Sequence, residues 1–280
     1  MIILFTSDLH GKIQRYNELF RQVENIRPDV VLLGGDLLPH VRKIDFHEFV
    51  EDFLIKNFDS LRSGMKDEYP FVGLILGNDD PGIAESIFID AQKSGIWTYL
   101  HMKMVHFKGI DFYGYSFVPP TPFLLKDWEK YDVSRYVDPG CVPPDEGFRT
   151  KEPDYDTEFA TIADDLERLS GHADVSQAVF LFHSPPYQTK LDRAALDGKM
   201  IDHIPLDVHV GSIAIRRFIE SRQPFLTLHG HIHESTFLTG HFSDKLGKTW
   251  MFNGANHTHE LPLIVIDTDS PENTKRLLYP

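Results

Sequence analysis

Residues 2–23 read I-I-L-F-T-S-D-L-H-G-K-I-Q-R-Y-N-E-L-F-R-Q-V. The opening run Ile2–Thr6 is apolar and β-branched, which predicts a buried strand. A short polar loop with Asp8 and His10 follows. Ile13, Tyr16, Leu19, Phe20 and Val23 then recur at helical spacing, and Pro28 closes the helix. The same phrase is spoken twice more. Val30–Leu33 runs into Gly34-Gly35-Asp36, and Phe46, Phe49, Val50, Phe53, Leu54 and Leu61 mark the helix behind it. Phe71–Leu76 ends in G-N-D-D-P, where Asp80 before Pro81 has the pattern of an N-cap with proline in the first helical position. Strand, polar loop and helix in alternation argue for an α/β domain with largely parallel strands. Ligands of such sheets sit at the carboxyl ends of strands. Asp8, His10, Asp36, Asn78, Asp79 and Asp80 all fall there.

The rest of the chain continues in strands and helices without a linker, so residues 1–280 are expected to form one domain. Met104–Phe107 and Ile110–Tyr115 read as a hairpin across Lys108-Gly109. From Phe117 to about Pro153 the texture becomes proline-rich and aromatic. A segment that long is usually functional, so residues 117–153 are a candidate lid insertion. Phe159, Ile162, Ala163, Leu166 and Leu169 predict a helix closed by Gly171. Ala178–Phe182 is a strand that ends in His183. Gly211-Ser212 begins a helix from Ile213 to about Arg222. Leu226–Glu234, L-T-L-H-G-H-I-H-E, starts as a strand and places histidines at alternate positions, His229, His231 and His233. In extended backbone, residues two apart share a side, and neutral imidazole is the commonest protein metal ligand. Gly230 allows close backbone approach there. Lys248–Asn253 and Leu261–Asp267 read as further strands.

Composition narrows the partners. The chain is 41% hydrophobic and 25% charged, ordinary for a globular protein, with a net charge of −14. An acidic surface repels phosphate backbones, which disfavours long nucleic acid and anionic membrane, although bound cations would create a local positive site. Cys141 is the sole cysteine, so no intrachain disulfide forms. No apolar run has the length of a membrane span, and the chain opens directly on a strand. A cytoplasmic protein is expected.

Asp8, His10, Asp36, Asn78, His183, His231 and His233 each follow an expected strand. Mixed Asp, Asn and His donors suit divalent Mn, Fe, Ni or Zn. Seven are too many for one tetrahedral ion, but suit two ions sharing a carboxylate, roughly 3.5–4 Å apart. The fragments D-x-H (Asp8, His10), G-D (Gly35, Asp36), G-N-x-D (Gly77, Asn78, Asp80), a lone His after a strand (His183) and G-H-x-H (Gly230, His231, His233) come in that order. In this the chain resembles the calcineurin-like metallophosphoesterases over residues 8–233. The resemblance implies a four-layer α-β-β-α sandwich of two mixed sheets flanked by helices. It implies one divalent ion on Asp8, His10, Asp36 and His233, and a second on Asp36, Asn78, His183 and His231, with Asp36 bridging. A hydroxide between the two ions would attack phosphorus, and Asn78 would also touch the phosphate.

The chain departs from the family at one position. The usual tetrad is G-N-H-[D/E], whose His assists the leaving group or the phosphate; here it is G-N-D-D, with Asp79 in the His place and Asp80 matching the final carboxylate. Asp79 also reads as an ordinary solvated turn residue. His209 lies before a helix start that could receive an anion, and is a candidate for substrate contact. His40 and His257 follow motif-bearing strands. His229 is expected to pack or bond a carbonyl, whereas His47, His101, His106, His172 and His241 read as surface residues. Tyr187, Lys190, Phe123 and Trp128 are candidates to line the pocket. The expectation is a metal-dependent phosphohydrolase for a small phosphoester or nucleotide, either a diester or an activated monoester. A nuclease of the same family is the second reading. A metal-binding interaction scaffold is the third, and the full ligand set argues against it.

Overall fold

The computed structural model describes residues 1–40 and 45–280. Its strands are β1 (Ile2–Thr6), β2 (Val30–Gly34), β3 (Phe71–Ile75), β4 (Thr98–Tyr99), β5 (Lys103–Phe107), β6 (Ile110–Tyr115), β7 (Val179–Phe182), β8 (Met200–Ile201), β9 (Ile204–Pro205), β10 (Leu226–His229), β11 (Ser243–Leu246), β12 (Thr249–Asn253), β13 (Leu261–Asp267) and β14 (Lys275–Tyr279). They make two six-stranded mixed sheets, ordered β14-β13-β1-β2-β3-β4 and β11-β12-β10-β7-β6-β5, with β8-β9 as a separate small hairpin. β1, β2 and β3 run parallel, as do β6, β7, β10 and β12. Each sheet therefore presents several carboxyl ends along one edge.

Strand side chains alternate, and here both faces are buried. Ile3 and Phe5 of β1, Val30 and Leu32 of β2, Val179 and Leu181 of β7, and Leu226 and Leu228 of β10 meet in the layer between the sheets. The alternate residues, Leu4, Val31, Leu33, Phe180 and Phe182, turn outward against helical residues such as Tyr16, Leu19, Val23, Ile215 and Phe218. This is the four-layer α-β-β-α sandwich. It explains why the strands read as unbroken apolar runs and the helices as one-sided.

The helix Ile13–Ile26 falls where the periodicity places it. The second helical run extends from Phe46 to Met65, with wider π-type turns over Phe49–Ile55. Ser212 caps the helix Ile213–Arg222 by accepting from Ile215 N–H, and Gly171 ends Ile162–Ser170 at φ 48°. One local reading is corrected. Asp80 does not cap a helix. After Pro81 comes a single 3₁₀ turn, Gly82–Ala84, and the α-helix is Glu85–Ala91. The Asp80 carboxylate turns back to accept from the backbone N–H groups of Leu37, Leu38 and Gly77. It thus ties the loop after β3 to the loop after β2.

Segment 117–153 leaves β6 at the edge where β7 delivers His183, and it is packed. Lys126 and Glu129 form a fully buried ion pair at 2.5 Å, and Trp128 is buried. Asp132 accepts from Ser212 Oγ and from the Ile213 and Ala214 N–H groups, which satisfies free donors of that helix start.

Candidate metal centre

The loops after the strands turn sharply to bring their polar side chains together. Asp8, His10, Asp36 and His231 all adopt positive φ, at 58°, 47°, 51° and 69°. Non-glycine residues rarely do so, and such strain clusters at functional sites. Two glycines are required by close approach. A Cβ on Gly77 would lie 2.4 Å from Asp36 Oδ1 and 2.6 Å from His183 Cε1, and one on Gly230 would lie 2.5 Å from Asp8 Oδ2.

Asp8, His10 and Asp36 come from the first sheet, and His233 comes from the second. One ligand atom from each of these four lies within 4.8 Å of the others. His10 Nε2 is 3.1 Å from His233 Nε2, and His233 Nε2 is 3.0 Å from Asp8 Oδ1. Alongside, His183 Nε2 is 3.0 Å from Asn78 Oδ1 and 3.4 Å from Asp36 Oδ2. The His231 ring centroid lies 5.2 Å from that of His183. All seven residues singled out as ligands are therefore gathered in one place, and Asp36 stands between the two groups.

The donor set fits divalent ions on three grounds. Asp8 and Asp36 are 0% and 2% exposed, and among the described residues neither carboxylate forms an ion pair with lysine or arginine. Buried carboxylates at such a density need a cation. His183 Nδ1 donates to the Gly34 carbonyl at 2.7 Å, which aims Nε2 at Asp36 and Asn78; metal-binding histidines are commonly held by such a bond from the other ring nitrogen. The third ground is contrast. His229 has both nitrogens occupied, by the Ser184 carbonyl and Thr227 Oγ1, so it packs as expected.

Electrostatics separate the groups. Burial works against ionised Asp8, but His233 overcomes it and holds the carboxyl at about 2. Asp36 is held well below the usual range: burial opposes this, and His183 and His10 outweigh it. Burial pushes His10 down to about 4, and burial together with His183 pushes His231 down to about 3. His183 goes the other way. Burial disfavours its charge, yet Asp36, Asp8 and the Gly34 carbonyl raise it to about 10.

Asp79 donates its backbone N–H to Asp36 Oδ1 at 2.8 Å. Its carboxylate lies 3.5 Å from His10 Nδ1 and 3.7 Å from His40 Nδ1. Burial, then Asp36, raises its pKa to about 6. An open pocket here is lined by His10, Gly11, Lys12, Pro39, His40, Asp79 and His233. Lys12 is a pocket residue that no motif announces, although it stands two residues after His10. His40 stacks on His10 with centroids 5.3 Å apart.

Other candidates lie outside this pocket. His209 bonds the buried Asp192 through Nδ1 at 2.8 Å and belongs to the loop before Ser212. His257 packs on exposed Phe237. Tyr187 bonds Asp207, and Trp128 is buried beside another cavity. Phe123 is exposed, and Lys190 faces Asp244 at 3.9 Å. His101 is not a surface residue: it is half-buried among Tyr115, Phe117 and Trp128, and its Nδ1 accepts from Ser116 N–H. His47, His106, His172 and His241 are exposed, as expected.

A family model described as calcineurin-like phosphoesterase matches residues 1–235. No curated protein matches the chain in sequence. One solved structure is similar over 100% of this chain and 99% of its own length, with a TM-score of 0.61 at 16% identity. A protein of Thermus thermophilus is similar over 99% of this chain and 98% of its own, with a TM-score of 0.59 at 15% identity. At these identities the structures speak for the fold alone. With the family model matching most of its length, the chain belongs to the calcineurin-like phosphoesterases and is a metal-dependent hydrolase of phosphoric esters.

Proposed function

We propose that this calcineurin-like phosphoesterase cleaves a small phosphodiester, or a monoester with a good leaving group, at a centre of two first-row divalent ions. Asp8, His10, Asp36 and His233 hold one ion; Asp36, Asn78, His183 and His231 hold the other. The observation that carries this reading is the position of Asp36. Its Oδ2 is 3.4 Å from His183 Nε2 and 3.9 Å from His10 Nε2, so one buried carboxylate serves both groups. Mn, Fe, Ni and Zn all suit the mixed donors. When bound, such ions would supply positive charge to phosphoryl oxygens and lower the pKa of water at the site.

The chain's own residues do the rest. The Asn78 carbonyl faces His183, which leaves its amide N–H groups to donate to a phosphoryl oxygen. Lys12 lends a cation at the pocket rim, offsetting the repulsion between Asp79 and an anionic ester. Dications beside Asp79 favour its charged form, so it is a poor proton donor at neutral pH. His40, across from Asp79 in the same pocket, is the nearer candidate to protonate a leaving oxygen. His209, whose Nδ1 is taken by Asp192, is the other. Segment 117–153 is anchored by Asp132 and by its buried ion pair, so it is packed against the body of the domain and is not a hinged lid. The net charge of −14 favours a small substrate over long nucleic acid, and the lone Cys141 suits the reducing cytoplasm.

The test combines metal analysis with activity. Purified protein is assayed for bound metal, then for turnover of phosphomonoesters, diesters and nucleotides with added Mn. Two ions per chain and diester hydrolysis are expected. Tight metal binding with no turnover across the panel would make the chain a scaffold instead.

A further inference from the structure

Away from the metal centre, and sharing none of its residues, a cavity of about 520 Å³ opens between the Gly82–Glu85 turn, the aromatic segment and the strand ends at His101–Lys103. Its size is that of a small-molecule site. In an acidic protein it gathers Lys103, Lys130, Arg149, Lys151 and Arg168. Four carboxylates also line it, of which Glu152 and Asp154 are exposed to solvent and Glu85 and Asp127 are engaged. Glu85 takes Lys151, while Asp127 accepts from Gly82 N–H, Thr150 N–H and Thr150 Oγ1. Lys130 and Arg168 are both paired with Asp165. Among the described residues, Arg149 and Lys103 have no carboxylate partner.

Three side chains of the lining, Trp128, Arg149 and Tyr155, keep buried polar atoms without partners. Trp128 is only 4% exposed, and its Nε1 is buried without an acceptor. Arg149 Nε and Nη2 are buried without one too. The Tyr155 hydroxyl stands beside this guanidinium and is itself buried without a hydrogen-bond partner. Buried donors without partners are rare and call for an explanation. Nε and Nη2 form one edge of the guanidinium, the edge that grips an oxyanion with two parallel bonds. The walls are rings: Lys130 Nζ sits 4.2 Å from the Phe117 centroid and 3.8 Å from that of Tyr155.

We propose that this cavity is a second ligand site for a small organic phosphate, gripped by Arg149 and Lys103 and bonded by the Trp128 indole N–H. Arg149 and Lys103 supply the positive charge for an anionic group against the solvent-exposed Glu152 and Asp154, and the aromatic walls favour an apolar group beside it.

The experiment follows the indole N–H signals of the three tryptophans in ¹⁵N-labelled full-length protein as purified. The probes are inorganic phosphate and phenylphosphonate, whose P–C bond phosphoester chemistry leaves intact. The Trp128 signal, assigned with Trp128→Phe, is expected to move saturably, and at lower concentration with phenylphosphonate. Arg149→Met and Lys103→Gln should each raise the Kd at least tenfold, and His233→Ala should leave it unchanged. Lys103 is exposed, so Lys103→Gln decides the matter should Arg149→Met fail to fold. A Trp128 signal that stays put at millimolar probe overturns the proposal. So does one that responds alike in wild type and Lys103→Gln, or one that moves only while His233 is intact.

Discussion

His10 Nε2 and His233 Nε2 lie 3.1 Å apart, although 223 positions separate them in the chain. Each hangs from a different sheet, and the carboxylates of Asp8 and Asp36 close the group. The contrast between these histidines and Asp36 yields a direct test. If Asp36 serves both ions, Asp36→Asn should abolish binding of both, while His233→Ala should spare the ion next to His183. Activity should fall in both by at least about 10²-fold, since even residues that merely orient metal ligands cost 10–100-fold. Metal counting on the two variants checks this. Full occupancy in Asp36→Asn would end the assignment.

His183 links the centre to pH. Its folded pKa is raised to about 10 from an ordinary 6.5, so it carries a proton that a metal ion must displace. Metal affinity should rise with pH, about tenfold per unit for each proton released. The sign for stability is opposite in chelated protein. A raised histidine stabilises fully below 6.5, and that contribution is lost as pH rises through about 10. Thermal melts of chelated protein should therefore fall over that window, and His183→Gln should flatten the slope. Equal slopes in the two proteins would show that the charge on His183 is not what the fold uses.

Asp79 is expected to set the range of leaving groups. With ions bound its carboxylate stays charged and donates no proton, so esters with poor leaving groups should react slowly. Aryl phosphodiesters of graded leaving-group pKa should give a steeper rate dependence in wild type than in Asp79→His. His40→Ala should steepen the wild-type dependence further if His40 supplies part of the missing proton. Parallel lines for wild type and Asp79→His would mean that no proton is needed at this position.

Gly77 has no room for a methyl group, because its Cβ would meet Asp36 Oδ1 at 2.4 Å and Asp36 N at 2.5 Å. Gly77→Ala should cost about 1–3 kcal/mol by overpacking, and should lose metal by displacing Asp36. Gly64 is the control. It lies in the helix Lys56–Met65, where an added Cβ would meet nothing within 4 Å. Gly64→Ala should therefore stabilise by up to about 1 kcal/mol and keep its metal. Melting temperature and metal content, measured together, separate the two effects.

How much of this was legible follows from what is local. The motif fragments each end an apolar strand, so the α/β alternation and the ligand set could be read from neighbours in sequence. The strands β11 and β14 could not: S-D-K-L is short and polar, K-R-L-L-Y lies at the chain end, and both are antiparallel edge strands defined by their partners. Asp80 before Pro81 has every local mark of a helix cap, yet its carboxylate serves backbone donors of Leu37 and Leu38, more than forty residues away. His101 is a lone polar side chain between strands and is enclosed by rings, Phe117 and Trp128 among them, that the following segment brings back over it. Lys12 and His40 carry no motif; only the turn at Gly11, packed on Pro39, places them on one pocket.

Because Asp8, Asp36 and Asn78 belong to one sheet and His183, His231 and His233 to the other, the centre lies on a seam. A slip of one sheet along the other by a single residue, about 3.3 Å, would part the two sets of donors while leaving each sheet whole. Turnover is therefore a gauge of sheet alignment. Mutations deep between the sheets, at Phe5 or Leu228, would silence the enzyme well before they unfold it.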